Sequence, residues 1–118
     1  MKRPSRAPLP GRPVRGSQSG RPVMALLDLL GRRWALRILW ELREEPAATF
    51  RDLQLRCANV SSSVLNERLR ELREAGILAT GEPNGYQLTA EGRRLLSALA
   101  PIDEWAVRWS RREGATGA

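Results

Sequence analysis

Ser61, Ser62 and Ser63 stand in a row, followed by Asn66, Glu67 and Arg70, within VSSSVLNERLRELREAG over 60–76. These are hydrogen-bonding groups on short stems plus one guanidinium. Their chemistry is recognition of polar edges and anions rather than bond making. Leu65, Leu69 and Leu72 recur at four- and three-residue steps, so the segment is a helix with an apolar back. Ser63, Asn66, Glu67, Arg70 and Glu74 fall on the other side. A helix of that kind suits the major groove of DNA. Ser61 is the expected cap. Ser62, Ser63 and Asn66 are candidates for base edges or phosphates, and Arg70 for a guanine or a phosphate. Glu67 repels phosphate unless it accepts from a cytosine amine or pairs with Arg70 or Ser63. Arg51, upstream, is a candidate phosphate clamp.

Other chemistries find little material. There is no histidine, which removes imidazole acid–base pairs and imidazole metal ligands, and a lone Cys57 cannot build a thiolate zinc site. Asp103 and Glu104 are adjacent and so point along different helical azimuths. No phosphate-cradling glycine loop of the usual spacing is present. The reading is therefore of a protein without enzymatic activity, metal or cofactor. Trp105 and Trp109 lie one helical turn apart, as core or dimer packing, or as an aromatic pocket between subunits for an apolar effector that the sequence does not name.

The 118 residues suffice for one domain. The net charge is +7, and it is unevenly placed. Lys2, Arg3, Arg6, Arg12, Arg15 and Arg21 face no acid within 1–21, whereas the remainder holds 14 basic and 13 acidic residues. Any basic surface on the folded part must therefore be local. Prolines and glycines fill 1–20, so this stretch is expected as a disordered basic arm, adding phosphate contacts without sequence preference if it acts at all. No apolar run is long enough to cross a bilayer. The single cysteine fits a reducing compartment, and the cytoplasm is the simplest location.

Between the arm and a frayed tail over 113–118, the pattern predicts one domain over 21–112. A short helix over 23–30 follows Pro22 and stops at Gly31. A widely apolar helix over 33–44 carries Trp34, Leu36, Ile38, Leu39 and Leu42, and Pro46 stops it. A short strand is expected over 48–50, then a helix over 51–57 capped by Thr49. Asn59 and Val60 form a turn into the helix over 61–75, which Gly76 ends. Runs at 77–80 and 86–88 flank Asn84-Gly85 and read as a hairpin. A last helix begins at Thr89 and carries Leu95, Leu99, Ile102, Ala106 and Trp109 on one stripe, with Pro101 expected to kink or divide it. The fold is mainly α with a small β-hairpin: a helix-turn-helix followed by a wing.

Three runs carry a family resemblance: RPVMALLDLLGRRWALRILWEL (21–42), TFRDLQLRCANVSSSVLNERLRELREAGIL (49–78) and YQLTAEGRRLLSAL (86–99). Over 21–109 the sequence resembles the HxlR family of winged helix-turn-helix transcriptional regulators. The resemblance implies a cytoplasmic, homodimeric regulator that binds operator DNA and dimerises through its first and last helices. Redox-sensing members carry a cysteine just before the first helix's proline; Arg21 stands there in this chain, which argues against thiol sensing in that mode. The wing connection GEPNG is short and lacks a basic residue, which argues against minor-groove insertion. The near-neutral folded part leaves one alternative of another class, a winged-helix protein-interaction module without specific DNA binding.

Overall fold

A computed structural model describes residues 7–44, 47–81 and 85–117, without the side chains beyond 112. The elements run α1 (Pro22–Leu30), α2 (Ala35–Glu41), β1 (Ala48–Thr49), α3 (Phe50–Arg56), α4 (Ser62–Glu74), β2 (Leu78–Gly81), β3 (Gly85–Leu88) and α5 (Ala90–Gly117). The strands form one antiparallel sheet in the order β1-β3-β2. Ala48 pairs with Tyr86, and Leu78 with Leu88. The core lies under this sheet, where Ile38 and Leu39 of α2, Leu53 of α3 and Leu65, Leu69 and Leu72 of α4 are buried together.

Local chemistry sets the boundaries. Thr49 makes a capping box with Asp52: the Asp52 amide donates to Thr49 Oγ1 at 3.0 Å, and the Thr49 amide donates to Asp52 Oδ2 at 3.1 Å. Ser61 Oγ accepts from the Val64 amide at 3.3 Å and caps α4. At the far end Gly76 takes φ +79°, the Gly76 amide bonds the Arg73 carbonyl, and the Ile77 amide bonds the Leu72 carbonyl, each at 3.0 Å. That pair of bonds is a Schellman turn. α5 roots on the same turn: the Thr89 amide donates to the Ile77 carbonyl at 2.9 Å, and Thr89 Oγ1 caps the Gly92 amide at 3.0 Å. A Cβ on Gly92 would collide with the Ile77 carbonyl oxygen, so only glycine permits this approach.

α2 is shorter than the expected 33–44. Trp34 stands at its N-cap with φ +76°, a left-handed conformation that a bulky side chain rarely adopts, and the helix starts only after it. The connection is held by a buried ion pair. Glu71, 1% exposed on the inner side of α4, accepts from Arg32 Nη1 at 2.7 Å and from Arg68 Nη1 at 2.9 Å. Arg68 Nε also donates to the carbonyl of Arg33 at 2.8 Å, fixing the peptide just before Trp34.

α5 runs through Pro101 without dividing there; Ser97 and Pro101 are exposed, so water can reach the carbonyl that loses its helical donor. The helix is continuous to Gly117. Residues 7–20, expected as a loose arm, form turns bonded to the body. Gly11 N donates to the Gly20 carbonyl at 3.0 Å, Val14 bridges Ser17, and the Arg15 amide donates to Asp28 Oδ2 at 3.0 Å. The expected stop at Pro46 and the connection at 82–84 lie outside the described residues.

Glu71→Ala should destabilise the fold by about 3 kcal/mol, the low end for breaking a buried pair because both guanidiniums keep some water. Urea unfolding followed by tryptophan fluorescence measures it. Thr49→Ala should cost about 1 kcal/mol at neutral pH. The hydrogen bonds from Thr49 hold the Asp52 carboxyl below its ordinary value of 3.8. That contribution is present above the ordinary value and is lost as pH falls through the lowered one. Asp52→Asn removes the carboxylate that these bonds favour, so the stability gap between wild type and Asp52→Asn should narrow below about pH 4, read from unfolding midpoints across an acid series.

Candidate nucleic-acid interface

The outward side of α4 is set by what its inward side buries. With Leu65, Leu69, Leu72 and Glu71 inside, Ser63, Asn66 and Arg70 come out exposed on one stripe. Glu67 is half-buried at the margin of that stripe. Ser62 is exposed and accepts from Gln54 Nε2 at 3.2 Å, and the same amide donates to the Val60 carbonyl at 3.0 Å. Gln54 thus ties α3 to the first turn of α4. Arg51 is exposed one turn before Gln54, on the same side of α3. The turn between the helices bends through two left-handed residues, Ala58 at φ +57° and Asn59 at φ +59°, and the Asn59 amide bonds the Gln54 carbonyl at 2.8 Å. Gln54 therefore links α3, which carries the exposed Arg51, to the first turn of α4, where Ser62 lies beside the stripe of Ser63, Asn66 and Arg70.

Two residues escaped the sequence reading. Gln54 has no periodic signature; its role appears only when the turn is closed. Arg73 is exposed and lines a 580 Å³ groove with Arg70, Glu74, Leu78, Ala79 and Thr80, between α4 and β2. The three-residue step from Arg70 to Arg73 was the available signal.

Cys57 closes α3 and is fully buried, and burial pushes its thiol above the ordinary value, against the opposing pull of Arg37. A raised thiol pKa is the opposite of a reactive cysteine's. Trp105 and Trp109 stack on each other, with ring centroids 5.6 Å apart and planes 17° from parallel, and both stay about half exposed. Neither lines the 840 Å³ groove between α2 and α5, which is walled by Leu36, Trp40, Leu96, Leu99, Ile102 and Ala106.

Residues 29–114 match the family model described as HxlR-like helix-turn-helix. The chain belongs to this family. Its members are transcriptional regulators with helix-turn-helix DNA-binding domains. The chain is 32% identical over 89 residues to the uncharacterized HTH-type transcriptional regulator YvaP of Bacillus subtilis (strain 168), covering 70% of this chain and 82% of that one. Among solved structures it is similar to quinone-bound YodB from B. subtilis, with TM-score 0.67, 27% identity, and 73% and 94% of the two chains covered. It is also similar to a protein described as a possible HxlR family transcriptional factor from Thermoplasma volcanium GSS1, with TM-score 0.63, 25% identity, and 76% and 85% covered. The winged-helix reading of the fold agrees with these neighbours. Among the described residues no helix is long and apolar enough to cross a membrane.

Proposed function

We propose that this regulator binds double-stranded operator DNA sequence-specifically, as a homodimer, with α4 in the major groove. The observation that carries the reading is the division of α4. One side is locked into the core by three leucines and a paired glutamate, and the other presents Ser63, Asn66 and Arg70 to solvent on one stripe. Such a helix meets DNA already folded, so its backbone needs no ordering on binding. Arg70 reads a base, Ser62, Ser63 and Asn66 work near the helix start, and Arg51 holds a phosphate. Glu67 contributes by accepting from a base amine.

The homodimer reading rests on exposed apolar surface. Val23 and Leu27 of α1 and Ile102, Trp105, Val107 and Trp109 of α5 are all exposed, more than a lone soluble helix carries without a partner. Covering them with a second copy places two recognition helices about one DNA turn, roughly 34 Å, apart on a pseudo-palindrome. The protein acts in the cytoplasm, on operator sites that set transcription. The quinone in YodB supports a small apolar effector as a further partner, and the groove between α2 and α5 has the lining to take one without a covalent bond.

Duplexes selected from a random pool by the full chain test the reading. Arg70→Ala should lose about tenfold in affinity for the selected duplex, with relaxed preference at one position, and little on random duplex. Equal affinity and unchanged preference would remove Arg70 from the interface, and failure to select any sequence would favour the protein-interaction module. Ile102→Asp should shift the protein to monomer in analytical ultracentrifugation and weaken binding to a full pseudo-palindrome far more than to a half-site.

A further inference from the structure

The segment before α1 reaches the proposed DNA-facing stripe. The Ala7 amide donates to Glu74 Oε1 at 3.3 Å. Arg12 Nη2 lies 3.4 Å from Glu74 Oε2 and donates to the Ala7 carbonyl at 2.6 Å. Ala7 is 1% exposed, and Pro8 is buried. The loop behind this contact is closed at its base, because a Cβ on Gly20 would collide with the Arg12 backbone. It is fastened a second time where the Arg15 amide meets Asp28 of α1. Glu74 follows Arg70 by four residues and Ser63 by eleven, so it continues the same stripe at the carboxyl end of α4.

The charges make this placement meaningful. A bare carboxylate at that point would repel a phosphate backbone. Glu74 instead directs its charge to Arg12 and to the Ala7 amide. The segment it holds, 7–21, carries Arg12, Arg15 and Arg21 and no acid, while the chain beyond it is almost balanced. Arg15 and Arg21 are exposed. We propose that residues 7–21 form a second DNA-contacting element, seated on Glu74, in which Arg15 and Arg21 meet backbone phosphates flanking the bases read by α4. The proposal rests on the DNA-binding reading above and adds a sequence-independent contact to it. Glu74 is a positioning residue in this scheme, an acid that strengthens DNA binding by holding cations in place.

The test uses the full chain, a duplex selected from a random pool and a duplex of random sequence, with fluorescence anisotropy over a salt series. Replacing Arg15 and Arg21 by serine should weaken both duplexes by a similar factor. The slope of log affinity against log salt should become shallower by roughly 1 to 2, about 0.9 for each phosphate that is no longer neutralised. Glu74→Gln should lower affinity by about threefold with the native segment and cause no loss when the segment is already neutralised, a coupling that reports contact between them. An unchanged salt slope after neutralisation overturns the proposal. So does a Glu74→Gln variant that binds more tightly in both backgrounds, as removal of an ordinary repelling acid would. If the full chain selects no sequence, the specific reading falls, and the salt slope on random duplex still decides this one.

Discussion

Glu71 is the constraint on which the orientation of α4 depends. A carboxylate removed from water must be paired, because an isolated buried charge is too costly to keep. Its two partners come from different places: Arg68 from the same helix and Arg32 from the turn between α1 and α2. Arg68 passes the constraint on by holding the Arg33 carbonyl, which fixes the chain entering the left-handed Trp34. Leucine packing alone tolerates some roll of α4 about its axis, since apolar contacts are not directional. A charge-assisted pair does not. A small roll would withdraw Glu71 from Arg32 and carry Ser63, Asn66 and Arg70 away from the direction they share.

Electrostatics then act locally. Outside the amino-terminal segment the chain is close to neutral, so long-range attraction for a polyanion has to come from where charges sit and not from their total. α4 shows how this is managed. Glu71 is turned inward and compensated, Glu67 is half-buried at the margin, and Glu74 is occupied by Arg12, while Arg70 and Arg73 stay exposed on the outer side. A helix rich in acids can thus present a surface compatible with phosphates.

Much of this was readable from residue types. The leucine spacing at 65, 69 and 72 fixed the inward side of α4, and Thr49, Ser61 and Gly76 marked helix ends because capping and left-handed turns demand those residues. What was hidden depended on partners distant in sequence. Glu71 reads as a surface residue until Arg32, 39 positions away, is folded against it. Trp34 gives no sign of the left-handed backbone that shortens α2. Composition made 1–20 look unattached, because proline and glycine suppress helix and strand; it carries no information about Ala7 and Arg12 meeting Glu74 67 and 62 positions on.

The same turn that ends α4 begins the support of α5, and this links the two proposed surfaces. Gly76 and Ile77 close α4, Thr89 bonds the carbonyls of both, and Gly92 admits the first turn of α5 against Ile77. A helix of 28 residues spans about 42 Å, so a small angular change at this root is magnified along it. In the proposed dimer, the separation of the two recognition helices would follow from the angle set at Ile77. A ligand in the groove between α2 and α5 that bound one such angle more tightly than another would shift it. In the proposed dimer it would change half-site spacing without touching the proposed DNA-facing stripe, a route by which an apolar effector alters operator affinity.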